Sequence, residues 1–276
     1  MSFIIHHFWR RIITKGDDRI KRFLCFVVVF IIIFAIPVNA TVGTDTKTFS
    51  WFCVHRKDHL QPLSDPSFSF IEKYDGYYID KKHGDESRDK VVYLTFDVGY
   101  ENGNVSKTLD ILKEESTTAA FFILGNVLES HTSLAVRMFN EGHLVCNHTY
   151  SHKPMVKQSE ESFSEELLKL ENTCIALTGR KLSKFYRPPE GRFDEESLIF
   201  AQKMGYKTVF WSFAYADWDN NKQMSKEKAR NKILDNVHNG EIMLLHPTSS
   251  TNAEILQEII QELKRQGYRF GSLDEL

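Results

Sequence analysis

Val91-Val-Tyr-Leu-Thr-Phe-Asp-Val-Gly99 reads as a buried strand that runs into a polar end. Valine, tyrosine, leucine, threonine and phenylalanine in unbroken succession favour an extended chain packed in a sheet. Runs of the same kind recur downstream: AAFFILG (119–125), HLVCNH (143–148), KFYRP (184–188), TVFWSF (208–213) and EIMLLH (241–246), with YRFGSL (268–273) a weaker seventh. Segments of 3.6-residue periodicity lie between them. Asn104-Val-Ser-Lys leads into TLDILKEE; Ser159–Leu177 stops at Gly179, Asp194–Met204 at Gly205, Ser225–Val237 at Gly240 and Asn252–Gln266 at Gly267. Polar residues in front and glycine just past the end are helix punctuation. Strand and helix in alternation imply a parallel sheet. Six or seven such units in about 190 residues predict an α/β fold whose parallel sheet forms a closed or nearly closed barrel.

Upstream of this rhythm the character changes. Residues 41–88 are irregular and aromatic-rich, with turn signals at SDPS (64–67) and Asp75-Gly76, and read as an extended arm packed on the domain 89–276. A short hairpin is expected around Tyr77, Tyr78 and Ile79. Earlier still, Phe23–Ile36 is an uninterrupted apolar run behind the basic cluster Arg10, Arg11, Lys15, Arg19, Lys21 and Arg22, and it is followed by Pro-Val-Asn-Ala40. That order predicts export, with residues 1–40 a signal peptide or an N-terminal membrane anchor. The run is shorter than the ~20 residues that comfortably span a bilayer, which favours cleavage. An exported, extracellular or cell-wall location follows, with membrane contact only through that segment.

Charge excludes some classes. The chain carries 35 Lys and Arg against 37 Asp and Glu, and from residue 41 onward 29 against 35, so no polycationic surface for nucleic acid is present. Cys25 lies in the apolar run. Cys53, Cys146 and Cys174 remain, an odd number, and Cys146 and Cys174 read as small buried residues with no disulfide expected. No nucleotide-binding glycine loop, nucleophile elbow or Cys/His dyad is visible.

In a barrel of this kind chemistry sits at the C-terminal edge of the strands. Polar residues gather there: Asp97 after the first strand, His148 and His152 after the third, Arg187 after the fourth, Asp217-Trp218 beyond the fifth and His246 after the sixth. Each alone has an ordinary explanation. Asp97 could cap a helix, Arg187 before two prolines could be structural, and His246 could be a core histidine. The four-residue spacing of His148 and His152, on a helical turn, would put both imidazoles on one side as a divalent cation requires. Together on one rim they carry more weight than any one of them.

TFDVG (95–99), HTYSH (148–152), RPPEG (187–191), DW (217–218) and LLH (244–246) resemble, in order, the five motifs of the polysaccharide deacetylase family, the NodB-type carbohydrate esterases. TFDVGYENG and the tail from Asn252 onward are most similar to delta-lactam-biosynthetic de-N-acetylases, which act on N-acetylmuramic acid in the peptidoglycan of spore-forming bacteria. The resemblance implies a distorted (β/α) barrel with about seven parallel strands, in agreement with the strand count. It implies that Asp97 is the base, that Arg187 orients it, that His246 is the acid and that Asp217 tunes His246. It implies that His148 and His152 hold a divalent metal, commonly zinc. Trp218 and Leu244 would wall the pocket for the acetyl methyl, with Pro189 and Gly191 on the substrate side. Peptidoglycan glycan strands would be the partner and the protein a monomer.

One position departs from the pattern. The family's first motif usually has a second aspartate, a metal ligand, where this chain has Val98. Loss of that ligand is expected to weaken metal binding by at least the ~10–100-fold that loss of a supporting residue costs. Asp97 itself, or Glu101 or Asn102 in the next loop, could compensate. The resulting expectation is a retained deacetylase with a weakened metal site. Its rivals are a deacetylase of another glycan (N-acetylglucosamine in peptidoglycan, chitin oligomers, xylan) and a catalytically silent glycan-binding wall protein.

Overall fold

The computed structural model describes residues 47–276; the apolar run, its basic flank and their reading as a signal or anchor lie outside the described residues. Among the described residues no helix is long and apolar enough to cross a membrane.

The arm contributes β1 (Phe49–Ser50), β2 (Cys53–Val54), β3 (Leu63–Ser64) and β4 (Gly76–Tyr77). Then come β5 (Lys90–Val98), α1 (Asn104–Glu114), β6 (Ala120–Ile123), α2 (Gly125–Ser130), α3 (Thr132–Asn140), β7 (Leu144–Asn147) and α4 (Glu160–Thr178). The last third holds β8 (Ser183–Tyr186), β9 (Arg192–Phe193), α5 (Glu195–Lys203), β10 (Lys207–Val209), α6 (Lys226–Asn236), β11 (Glu241–Leu245), α7 (Ser250–Arg265) and β12 (Tyr268–Phe270).

One parallel sheet runs in the order β11-β5-β6-β7-β8-β10-β4, with β12 also paired to β5. Val92 pairs with both Glu241 and Phe270, so β12 takes the edge of β5 that β6 leaves bare. The sheet curls back on itself. Beyond β10 the Ser212 N–H donates to Ile242 O (3.0 Å) and the Leu244 N–H to Phe213 O (2.9 Å), joining the fifth unit to β11. All seven strand runs read from the sequence are strands here, β10 being the shortest remnant of its run because the chain leaves it to reach β11.

Strand alternation sorts β5 into two layers. Val92, Leu94, Phe96 and Val98 pack in the helix-facing layer with Leu109, Ile123, Val145, Met243 and Ile260. Val91 and Tyr93 lie in the barrel interior with Phe122, Cys146, Phe185, Val209 and Ile242. Both faces are buried, which is why β5 reads as a continuous apolar run.

The helices form where their punctuation is. Ser159 accepts from the Ser162 N–H (3.1 Å) at the start of α4, and Gly179, at φ 68°, ends it. Asp194 and Ser197 cap α5 reciprocally. The short helices α2 and α3, meeting at His131, were not expected, although Gly142, at φ 82°, follows the end of α3.

No hairpin forms around Tyr77–Ile79. Asp75, at φ 53°, closes the 3-10 segment Pro66–Tyr74, and Gly76–Tyr77 then joins the sheet parallel to Thr208–Val209. A Cβ on Gly76 would meet the Ile71 carbonyl oxygen at 2.7 Å, so only glycine lets the strand start there. The arm is welded on by aromatic rings. Trp51 stacks on Phe210 (4.6 Å) and donates its indole N–H to Trp211 O (2.8 Å), and Phe49 stacks on Phe193 of β9 (5.4 Å). Cys53, Cys146 and Cys174 are free thiols.

Candidate active site

The barrel interior ends in a buried cation. Arg187, one residue past β8, is fully buried and reaches across the interior with its guanidinium 4.1 Å above the Phe122 ring. Its donors are used on every side: Nη1 to Asp97 Oδ1 (2.8 Å), Nη2 to Thr95 Oγ1 (2.9 Å) and Phe210 O (3.3 Å), Nε to Val209 O (3.0 Å). Thr95 in turn donates to Met243 O (2.7 Å). Thr95 and Asp97 can both meet Arg187 because alternate residues of β5 face inward. Burial opposes ionisation of Asp97, but the charge of Arg187, aided by His246, outweighs it and holds the carboxyl below the usual carboxylate range.

The second group hangs on β11. His246 follows Leu245, whose register partner on β5 is Phe96, so His246 stands level with Asp97 on the adjacent strand. Neighbouring strands are ~4.8 Å apart, close enough for the two side chains to flank one carbon. Asp217 Oδ1 accepts from His246 Nδ1 (2.7 Å), and Asp217 Oδ2 accepts from the His246 backbone N–H (2.8 Å) and Asn252 Nδ2 (2.6 Å). Burial presses His246 towards neutrality, but the bond to Asp217, its charge and that of Asp97 win and raise the imidazole pKa. Nε2 is left for a ligand. The Trp218 ring lies 6.1 Å from the His246 ring at a steep angle, and Leu244 shares the inward side of β11 with His246.

His148 and His152 also converge, with ring centroids 5.0 Å apart. They do so without the helical turn expected from their spacing. The segment after β7 is irregular, with Thr149 at φ 73° and His152 at φ 59°. Asn147 Oδ1 accepts from the Thr149 N–H (2.9 Å), and Thr149 Oγ1 accepts from the His152 N–H (2.9 Å). Gly125 lets the loop seat, since its N–H donates to Tyr150 O (2.9 Å) and a Cβ would collide with the Tyr150 ring at 2.6 Å. His148 Nδ1 donates to Arg187 O (2.8 Å), which leaves Nε2 with its lone pair, 3.6 Å from Asp97 Oδ2. Burial above all pushes His148 down to about 4, so it is neutral.

Pro189 and Gly191 shape the turn after Arg187. Gly191, at φ 64°, backs onto Trp211 and Trp51, where a Cβ would stand 2.6 Å from Trp211 Cη2. Its contacts are with Trp211 beyond β10 and with Trp51 of the arm, a packing reason for glycine there.

A family model described as polysaccharide deacetylase matches residues 84–209. The peptidoglycan-N-acetylmuramic acid deacetylase PdaA of Bacillus subtilis is 34% identical over 256 residues, 92% of this chain and 95% of that protein. The chain belongs to the polysaccharide deacetylase family. Its structure resembles that of B. subtilis PdaA, a family 4 carbohydrate esterase, with a TM-score of 0.78 and 37% identity over 83% of this chain and 97% of that one. A peptidoglycan-N-acetylglucosamine deacetylase of Bacillus cereus is 34% identical over 213 residues, 76% of this chain and 74% of that protein. Membership makes the chain a hydrolase acting on an N-acetyl amide.

Within this deacetylase the metal question turns on donors. His148 has the tautomer a metal ligand uses, fixed by a backbone carbonyl. Its Nε2 and Asp97 Oδ2, both acceptors, face each other across 3.6 Å, an arrangement that a shared cation or a water proton would satisfy. Among the described residues, however, no three His, Cys, Asp or Glu side chains come together as a ligand set. Val98 lies in the helix-facing apolar layer with 1% exposure. Asn102 is bonded to Thr248 O (2.9 Å), and a Glu101 carboxylate oxygen to the Gly103 N–H (2.6 Å). The residues present therefore do not fit the three-ligand site that the family pattern implies. An aspartate at 98 would enter the apolar layer, so V98D is expected to melt below the wild type in chelator by several kcal/mol of stability, about 3 or more. A thermal scan with and without Zn²⁺ checks this: a Zn²⁺-dependent rise above wild type would show that the new carboxylate turns to the histidines instead.

Several supporting residues escaped the sequence reading. Thr95 looks like a strand residue, yet it anchors Arg187. Asn252 looks like a helix start, yet from the first turn of α7 its Nδ2 donates to Asp217 and to the His246 carbonyl (3.2 Å), while its Oδ1 accepts from the Tyr215 hydroxyl. The only available signal was their place next to motif residues.

Proposed function

We propose that the protein removes the acetyl group from N-acetylmuramic acid of peptidoglycan by direct attack of water, with Asp97 as base and His246 as acid. The observation that carries this reading is that two groups level on adjacent strands are biased in opposite directions, Asp97 towards its ionised form by Arg187 and His246 towards its protonated form by Asp217. Water loses a proton to Asp97 as its oxygen bonds to the acetyl carbon. His246 Nε2 then gives a proton to the sugar nitrogen as the C–N bond breaks, leaving acetate and a free amine. An amide nitrogen is a poor leaving group unless protonated, so the acid is the more demanding role. Leu244 and Trp218 flank the methyl, and a backbone N–H at the rim bonds the oxyanion.

The N-acetylmuramic relative supports the sugar, because its similarity runs through the arm and spans 92% of this chain, whereas that of the N-acetylglucosamine relative spans 76%. Formation of muramic delta-lactam in a spore cortex would follow from the free amine, and action at the wall accords with the export reading of residues 1–40. Any Zn²⁺ would be held by His148 and His152, and bound at least ~10–100-fold more weakly than in a three-ligand site; titration calorimetry on chelator-treated protein measures it.

Purified peptidoglycan is to be digested with the protein, with and without added Zn²⁺, and its fragments analysed by mass spectrometry. Loss of 42 Da per event, about the mass of an acetyl group exchanged for hydrogen, on the muramic residue is the expected result. Deacetylated glucosamine would overturn the choice of sugar. No product at saturating Zn²⁺ would overturn the activity and favour the silent glycan-binding reading, for which Val98 is the ground.

A further inference from the structure

The arm carries a hairpin whose outward side is apolar. Side chains alternate through β2 and the residues before it: Trp51 is buried, Phe52 exposed, Cys53 half-buried and Val54 exposed. Cys53 turns inward and donates its thiol to Ser212 O (3.2 Å). Val54 pairs with Leu63 of β3, so the two side chains share a face. On that face Phe52 is 49% exposed, Val54 55% and Leu63 57%, with Leu60 of the connecting turn at 38%. Phe68 holds the Phe52 ring edge-on at 5.3 Å. The solvated side of an antiparallel pair is ordinarily polar, and a contiguous apolar face in its place marks a surface that something covers.

We propose that the β2–β3 hairpin docks on an anionic lipid surface, dipping Phe52, Val54, Leu60 and Leu63 into it and leaving the catalytic rim on the far side. This rests on the export reading of residues 1–40 and is independent of the reaction. Chain length supports the occupant. Phe52 follows Ile36, the end of the apolar run, by sixteen residues, at most ~55 Å of extended chain. A retained run keeps the hairpin within that reach of the bilayer; a cleaved one leaves the hairpin as the chain's own means of staying there. Charge supports it too. The turn HRKDHLQP (55–62) has one acid, Asp58, beside Arg56 and Lys57, and Lys232 of α6 stands close by, adding to burial in lowering the His55 pKa. Arg56 is tied to Asp85, whereas Lys57 and Lys232 are exposed and enter no ion pair among the described residues. Apolar side chains rimmed by lysines suit the boundary between headgroups and acyl chains. Placement gives the orientation. His59 Nδ1 donates to Val237 O (2.7 Å) and Gln61 Nε2 to Asn239 O (2.9 Å), in the stretch that leads into β11. His246 follows the opposite end of that strand, ~17 Å along it.

Residues 45–276 form one compact unit, and the solved chain of B. subtilis PdaA matches 83% of this chain with 97% of its own, so the test uses residues 41–276. Co-sedimentation is measured with vesicles of phosphatidylcholine alone and with about a third phosphatidylglycerol. Wild type is expected to partition about tenfold more strongly onto the anionic vesicles. F52S/V54S/L63S is expected to lose at least about tenfold on them, with a melting midpoint within about 2 °C of wild type. K57E/K232E leaves the apolar face intact and is expected to lose about tenfold or more on anionic vesicles and less than about twofold on neutral ones, which decides the matter if the triple variant is unstable. Wild type that stays in solution with anionic vesicles, or both variants binding as wild type does, would overturn the proposal. A wild-type dimer in sedimentation velocity that F52S/V54S/L63S dissociates, with no vesicle binding, would overturn it in favour of a second copy of this chain.

Discussion

Alanine at His246 lowers kcat by about 10²–10⁴-fold, the contribution of a well-placed general acid, with a much smaller change in KM. The amine leaves only if protonated, and His246 Nε2 is the one raised-pKa donor level with Asp97. The pH dependence gives the sharper check. A raised pKa keeps the imidazolium to higher pH, so activity is present below that pKa and falls as pH climbs through it. D217N removes both the charge and the carboxylate acceptor at Nδ1, so its alkaline limb moves to lower pH while the fold persists. H246A keeping activity within about threefold of wild type, or D217N with an unmoved alkaline limb, would reject the assignment.

Arg187→Ala is expected to cost about 3–5 kcal/mol, because it strands Asp97 as a buried, unpaired carboxylate and frees the Val209 and Phe210 carbonyls and the Thr95 hydroxyl. For a chain of this size each kcal/mol is worth ~2–4 °C, so the melting midpoint falls by about 6–20 °C. Arg187→Lys falls in between, since one ammonium cannot span acceptors spread around a planar fork. Without Arg187, Asp97 also loses the charge that keeps it ionised, so activity falls with stability. A calorimetric midpoint for Arg187→Ala within about 2 °C of wild type would show that the network is slack.

What the two variants probe was legible to different degrees. Asp97, His148, Arg187, Asp217 and His246 stand out because strand ends in a parallel barrel are where polar residues interrupt apolar runs. Their partners do not stand out: Thr95, Tyr215 and Asn252 have the composition of any strand or cap. The histidine pair was found for a reason the structure replaces. Spacing of four suggested a helical turn, but two left-handed residues, an Asn147 bond and the close seat of Tyr150 on Gly125 bring the rings together. The arm was visible as aromatic and irregular, yet its strand β4 was not, since two residues beside a glycine carry no periodicity.

Composition and period decided the local facts of this deacetylase by themselves: where the seven strand runs of the main domain and most helices lie, that the sheet is parallel, and that polar residues gather at the strand ends. Those are short-range consequences of side-chain pattern and capping. Tertiary structure alone decided that Arg187 crosses the interior to Asp97, that His246 comes level with it, and that Val98 turns into the helix-facing layer. The first two depend on register between strands far apart in the chain, and the third on which face of β5 becomes the interior; all are set by how the whole barrel closes and packs.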